Sequence, residues 1–132
     1  HNVGKSFDIK GYKDVLNSWQ KGLENKGWNA LFIENHDRQR VSSTWGDDEE
    51  YWYESSTSHA VVYFLQQGTP FIYQGQEIGM TNYPFEDIID FDDVHAKNIY
   101  NQELKKGVPK EEVIDMLRRI SRDNTRTPMQ WD

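Results

Sequence analysis

Two short apolar runs, Asn29-Ala30-Leu31-Phe32-Ile33 and Phe71-Ile72-Tyr73, constrain this chain more than any other feature. Each follows a stretch with helical periodicity, and each opens into a dense polar segment. Tyr12, Val15, Leu16, Trp19 and Leu23 recur at the spacing of one helix face, with Lys13, Asp14, Gln20, Lys21 and Glu24 opposite. Gly27 stops that helix, expected over residues 12–26. The first apolar run then reads as a buried strand and ends in Glu34-Asn35-His36-Asp37-Arg38-Gln39-Arg40. After a loop at Trp45-Gly46-Asp47-Asp48, a second helix is expected over residues 49–67, with Thr57, Ala60, Val61, Phe64 and Leu65 facing inward. Gly68-Thr69-Pro70 breaks it, and the second strand, Phe71-Ile72-Tyr73, ends in Gln74-Gly75-Gln76-Glu77-Ile78-Gly79-Met80. Helix, strand, helix, strand implies parallel strands joined by right-handed crossovers, hence an α/β fold. Strands that end in polar residues at their C-terminal ends are how such folds build active sites.

The remainder has another character. Residues 81–93 read as a long acidic loop containing Glu86, Asp87, Asp90, Asp92 and Asp93. A short helix is expected over 93–105, broken by Gly107-Val108-Pro109. A second, over 110–121, has Val113, Met116, Leu117 and Ile120 on one face, with Pro109 suited to its first turn. The tail from Arg122 onward has no periodicity.

Composition narrows the function. The 132 residues carry 15 Lys and Arg against 22 Asp and Glu, a net charge of −7, with no basic cluster to meet nucleic-acid phosphates. Five Trp, seven Tyr and six Phe argue for a packed core rather than disorder. No apolar run approaches the length of a membrane span. With no Cys, disulfides, thiol catalysis and Cys-ligated zinc are excluded. No signal-peptide pattern opens the sequence, so a cytoplasmic location is expected.

Several clusters carry chemistry, each with a plainer reading beside it. Asn35-His36-Asp37 sets an imidazole and a carboxylate at a strand end, suited to gripping a polar ligand or to a solvated capping turn. Arg122 and Arg126, four apart, offer planar donor forks for carboxylates or paired hydroxyls, or form surface ion pairs. Glu77 stands between Gly75 and Gly79, where tight turns are the simpler explanation. His36, His59 and His95 show no metal-ligand spacing, and the Asp47–Glu50 run reads as a solvated helix start rather than a calcium loop. No cofactor or metal is expected.

Three blocks, taken together, resemble the α-amylase superfamily of glycoside hydrolases. They are Asn35-His36-Asp37-x-x-Arg40-Val41-x-Ser43, Gly68-Thr69-Pro70-Phe71-Ile72-Tyr73-Gln74-Gly75-x-Glu77-Ile78-Gly79-Met80-Thr81-Asn82 and Ser121-Arg122-Asp123-Asn124-x-Arg126-Thr127-Pro128-Met129-Gln130-Trp131. The branch is that of oligo-1,6-glucosidase, dextran glucosidase, trehalose-6-phosphate hydrolase and sucrose isomerase. The resemblance implies a partial (β/α)8 TIM barrel. The two runs become strands seven and eight, the two early helices become six and seven, and residues 81–132 become the elaborated loop over the active site. Residues 1–80 would be the barrel portion. A whole barrel takes about 250 residues, so the chain is expected to be a C-terminal barrel segment.

The resemblance also implies an α-glucosidase that acts on oligosaccharides by the retaining mechanism, with a nucleophile and an acid/base about 5–5.5 Å apart. Both are expected to precede His1, leaving the isolated chain inactive. Asp37 would be the third carboxylate, stabilising the transition state. His36 would donate to the same sugar, Arg122 would hold its non-reducing end, and Arg126 would lie beside it. Sucrose isomerase, trehalose-6-phosphate hydrolase and transglycosylase chemistry, or a non-catalytic interaction protein, are the alternatives. The chain departs from the branch pattern at Glu34, Gln39, Gln76 and His95. His95 stands where α-1,6-acting members have Glu, leaving linkage open. Two strands cannot close a barrel, so apolar faces of both strands and helices should be exposed, and the chain should self-associate or dock with the remainder of its parent.

Overall fold

The computed structural model describes residues 8–131. Helix α1 (Ile9–Leu23) is capped by Asp8, whose Oδ1 accepts from the Gly11 amide at 3.0 Å. It ends where Asn25 turns left-handed, at φ 57°, three residues earlier than the expected span. Strand β1 (Ala30–Leu31) follows, then a short helix α2 (Val41–Trp45) that periodicity does not reveal, then α3 (Trp52–Phe64). The expected start of α3 at residue 49 is corrected to 52. The Asp47 carboxylate takes the Glu49 and Tyr51 amides at 2.9 and 3.1 Å and holds this stretch as turns.

Strand β2 (Thr69–Pro70) pairs with β1 in parallel, in the register Ala30 to Thr69 and Leu31 to Pro70. The parallel pairing agrees with the sequence, but the second strand begins two residues before the apolar run that was read as the strand. The Thr69 and Phe71 amides bond the Asn29 and Leu31 carbonyls at 2.8 and 2.7 Å, which straddles Pro70 and avoids its missing N–H. Phe71 and Ile72 are themselves 57% and 50% exposed, so the apolar run marks surface that lacks cover, and backbone pairing starts earlier.

Past the 3₁₀ turns Gln76–Ile78 and Ile88–Asp90 come α4 (Val94–Lys105) and α5 (Lys110–Ile120), close to the expected spans. The 3₁₀ turn Arg122–Thr125 organises the aperiodic tail. The main core lies in this second half. Phe85, Phe91, Ala96, Val113, Ile114 and Leu117 are buried together, with Ile88, Ile99, Tyr100 and Met116 around them. In the first half, α1 buries nothing and α3 buries only Tyr63 among its residues. The inward face expected for α3 is therefore not covered: Val61 and Leu65 are 56% and 81% exposed. Trp19, Phe32 and Phe71 are also more than half exposed. Apolar faces on both helices and beside both strands lie open, as the sequence led us to expect.

A buried ion pair fixes the end of β1 within the first half, and the backbone amide of Arg40 ties it to the second. Arg40 is fully buried and donates from Nη1 to Glu34 Oε2 at 3.1 Å and to the Gln74 carbonyl at 2.8 Å. Glu34 Oε1 accepts from the Val41 amide at 2.7 Å, and the Arg40 amide bonds Asn82 Oδ1 at 3.0 Å. The end of β1 is thereby fixed to the segments on both sides of Met80. Among the described residues, no helix is long and apolar enough to cross a membrane.

Candidate active site

Four side chains singled out in the sequence converge on one point. The segment after β1 turns at Asn35, whose Oδ1 accepts from the Asp37 amide at 2.9 Å. This is the Asx-type turn that the plainer reading anticipated, and it presents the Asp37 carboxylate toward the Arg122–Thr125 turn. Arg122 Nη1 and Arg126 Nη2 both donate to Asp37 Oδ1 at 3.1 Å. His36 Nε2 lies 3.4 Å from Asp37 Oδ2. Arg126 Nε also donates to the His36 carbonyl at 3.0 Å, and Thr125 Oγ1 to the Arg38 carbonyl at 2.7 Å. Two segments 85 residues apart in sequence thus grip one another through side chain and backbone.

The turn that carries Arg122 is rigidly built. Ser121 Oγ caps it by accepting from the Asp123 amide at 3.1 Å, and donates to Asp123 Oδ2 at 3.0 Å. Asn124 donates from Nδ2 to the Arg118 and Ser121 carbonyls, both at 2.9 Å, and its Oδ1 accepts from the Tyr83 amide. Asn124 and Thr125 are fully buried, so these bonds form away from water, where an unmade one is costly. Tyr73, just past β2, donates its hydroxyl to the Thr125 carbonyl at 2.9 Å.

Electrostatically the site is an anion fixed among donors. Burial pushes the Asp37 carboxyl up, but the Arg122 hydrogen bond, the His36 and Arg122 charges and Arg126 together hold it below the ordinary range. It stays ionised. The Asp37 side chain is 52% exposed, and those of Arg122 and Arg126 are 40% and 37% exposed. An ionised acceptor flanked by planar donors, open on one side, suits adjacent hydroxyls of a polar ligand. Such fixed charge stabilises developing positive charge without reorganising.

Sequence reasoning missed Asp93, which appeared only as the end of an acidic run. Its side chain is 2% exposed and takes Arg122 Nη2 at 2.8 Å. The local signal was its place as N-cap of α4, accepting from the His95 amide at 3.1 Å. Glu77 and His59 are not brought to the cluster. They line a separate cleft of about 210 Å³ with Glu34, Tyr63 and Gln76. Burial lowers the His59 pKa, in keeping with a packed histidine. Among the described residues, no group of three or more His, Cys, Asp or Glu could hold a metal ion.

Residues 2–132 match the family described as alpha amylase, catalytic domain. The chain is 52% identical over 130 residues to the probable oligo-1,6-glucosidase 3 of Bacillus subtilis, covering 98% of this chain and 24% of that protein. It is 50% identical to the glucan 1,6-alpha-glucosidase of Streptococcus pneumoniae, covering 97% and 24%. The crystal structure of Bacillus licheniformis trehalose-6-phosphate hydrolase superposes with a TM-score of 0.92 at 44% identity, covering 97% of this chain and 23% of that one. The chain thus spans about a quarter of the length of the curated relatives it matches. A profile match over nearly every residue, with close relatives on both sequence and fold, places this chain in the α-amylase catalytic-domain family.

Proposed function

We propose that this chain is the part of an α-glucosidase-type glycoside hydrolase that holds the sugar whose bond is cleaved. The observation that carries this reading is the convergence of His36, Asp37, Arg122 and Arg126 on one open, ionised site. Asp37 accepts hydroxyls of the reacting glucose and stabilises its oxocarbenium-like transition state. His36 donates to the same ring, Arg122 holds its non-reducing end, and Arg126 braces Asp37. The nucleophile and acid/base of the retaining mechanism, about 5–5.5 Å apart, come from other segments of the barrel, so this chain alone is inactive. Asp93 does not substitute for either, because it is buried and committed to Arg122.

In this reading β1 and β2 are barrel strands seven and eight, α1 and α3 are helices six and seven, and residues 81–132 form the loop over the site. The exposed apolar residues Trp19, Phe32, Val61, Leu65 and Phe71 are where the rest of the barrel packs. The substrate is a short α-glucoside and the location cytoplasmic. The names of the relatives favour α-1,6 bonds, and comparison of isomaltose with maltose decides the linkage. The test is turnover of p-nitrophenyl α-glucoside. The full-length protein should be active and this chain inactive, and Asp37→Asn in the full-length protein should lower kcat at least about a hundredfold, on the order found for transition-state donors. Near wild-type turnover by that variant would remove Asp37 from its assigned role.

A further inference from the structure

Arg122 lies between two carboxylates that differ in kind. Asp37, on Nη1, is half exposed, whereas Asp93, on Nη2, is nearly fully buried. The contact with Asp93 is the shorter, at 2.8 Å against 3.1 Å. It is also reciprocal: the Asp93 amide donates to Asp123 Oδ2 at 3.1 Å, one residue along from Arg122. The start of α4 and the Arg122–Thr125 turn therefore hold each other at two points. Burial pushes the Asp93 carboxyl up, but the Arg122 hydrogen bond, the His95 amide and the Arg122 and His95 charges outweigh it and keep it ionised.

We propose that Asp93 is a positioning residue: it fixes the direction of the Arg122 guanidinium, so that one edge is anchored to α4 and the other is presented to Asp37 and to a bound sugar. An exposed arginine loses rotamer entropy each time it binds a ligand. A buried carboxylate on Nη2 removes much of that cost beforehand. Because Asp93 also caps α4, the direction of Arg122 and the placement of the first turn of α4, with His95, are set by a single side chain. The inference rests on the sugar-binding reading of Arg122 given above.

The capping and anchoring roles can be separated chemically. Serine caps a helix about as well as aspartate, but its oxygen ends one bond short of the carboxylate oxygens. Asparagine keeps both reach and cap and loses only the charge. In the full-length protein, with p-nitrophenyl α-glucoside as probe, Asp93→Ser should raise KM about tenfold with kcat within about twofold, the mark of lost uniform binding. Asp93→Asn should recover most of that. In an Arg122→Ala background, Asp93→Ser should change KM no further, since its effect runs through Arg122.

Loss of kcat with KM unchanged, or a full KM effect of Asp93→Ser persisting without Arg122, would overturn the inference. If Asp93→Ser fails to fold, the inference stands or falls on Asp93→Asn, which must then show the smaller rise in KM, again abolished by Arg122→Ala. An unchanged KM in Arg122→Ala alone would instead strike down the sugar-binding reading. A raised KM there, with Asp93→Ser and Asp93→Asn both silent, would strike down only the role of Asp93.

Discussion

The buried pair Glu34–Arg40 makes a non-additive prediction about stability. Arg40→Met removes a guanidinium that is fully buried, leaving the Glu34 carboxylate, 3% exposed, without its counter-charge and the Gln74 carbonyl without its donor. Breaking a buried pair from one side costs about 3–5 kcal/mol. The opposite change strands the guanidinium instead. Burial raises the Glu34 pKa above its ordinary 4.5 even with the Val41 amide and Arg40 pulling it down, so the pair does not fully offset the desolvation of the carboxylate. In Glu34→Gln the new side-chain amide would keep an acceptor for the Val41 amide, but Arg40, which cannot shed its proton, would lose its counter-charge, so this change too should cost about 3–5 kcal/mol. The double variant has no buried charge left. It should cost about 1–2 kcal/mol, less than either single variant. The assay is urea denaturation of the full-length protein followed by tryptophan fluorescence. The pH dependence gives a second reading. With a folded pKa above the unfolded one, the stability added by the Glu34 proton is complete below about 4.5 and is lost as pH rises through the folded value. Arg40→Met removes the influences that lower that value, so the deficit should narrow as pH falls from about 7 toward 4.5. A Glu34→Gln penalty below about 1 kcal/mol, or a double variant equal to the sum of the singles, would refute the reasoning.

Two further predictions concern packing. Gly75 has φ 86°, and a Cβ there would fall 2.3 Å from Met80 Sδ and 3.0 Å from Arg40 Nη2. Gly75→Ala should therefore destabilise by about 2–4 kcal/mol, combining left-handed strain with overpacking, read as a lowered urea midpoint; an unchanged midpoint would mean that the turn relaxes freely. Leu65 is 81% exposed at the end of α3. Leu65→Glu should reduce self-association of the isolated chain in size-exclusion chromatography and destabilise the full-length protein, and opposite signs in the two experiments would place Leu65 on the solvent side of the barrel instead.

The fold was legible where a feature repeats. Helix α5 fell where periodicity put it, since Val113 and Leu117 lie on one of its faces and are buried together. The parallel pairing of β1 with β2 followed from alternation alone. What sequence could not show was local hydrogen-bond competition: Asp47 drawing residues 49–51 into turns, or Pro70 sitting inside a strand because its neighbours supply the N–H groups. The inward face assigned to α3 is a different matter. Apolar spacing says which face wants burial, and whether it is buried depends on what else is present to cover it.

The candidate site shows why motifs found what periodicity missed. Residues 121–126 bury almost no apolar side chain, so no hydrophobic pattern betrays them. Their order comes from polar groups instead: Ser121, Asp123, Asn124 and Thr125 are all buried and all hydrogen-bonded. Such a network works only when every member is satisfied, so each position accepts few residue types, and that restriction is what a sequence motif records. Asp93 belongs to the same network but sits 29 residues from Arg122 in sequence. It looked like one acid among five because the partner that gives it meaning is supplied by the fold, not by its neighbours. A carboxylate whose role is to aim an arginine leaves no local trace beyond a helix cap. Its reach to Arg122 should therefore matter to ligand affinity more than to the stability of the helix it begins.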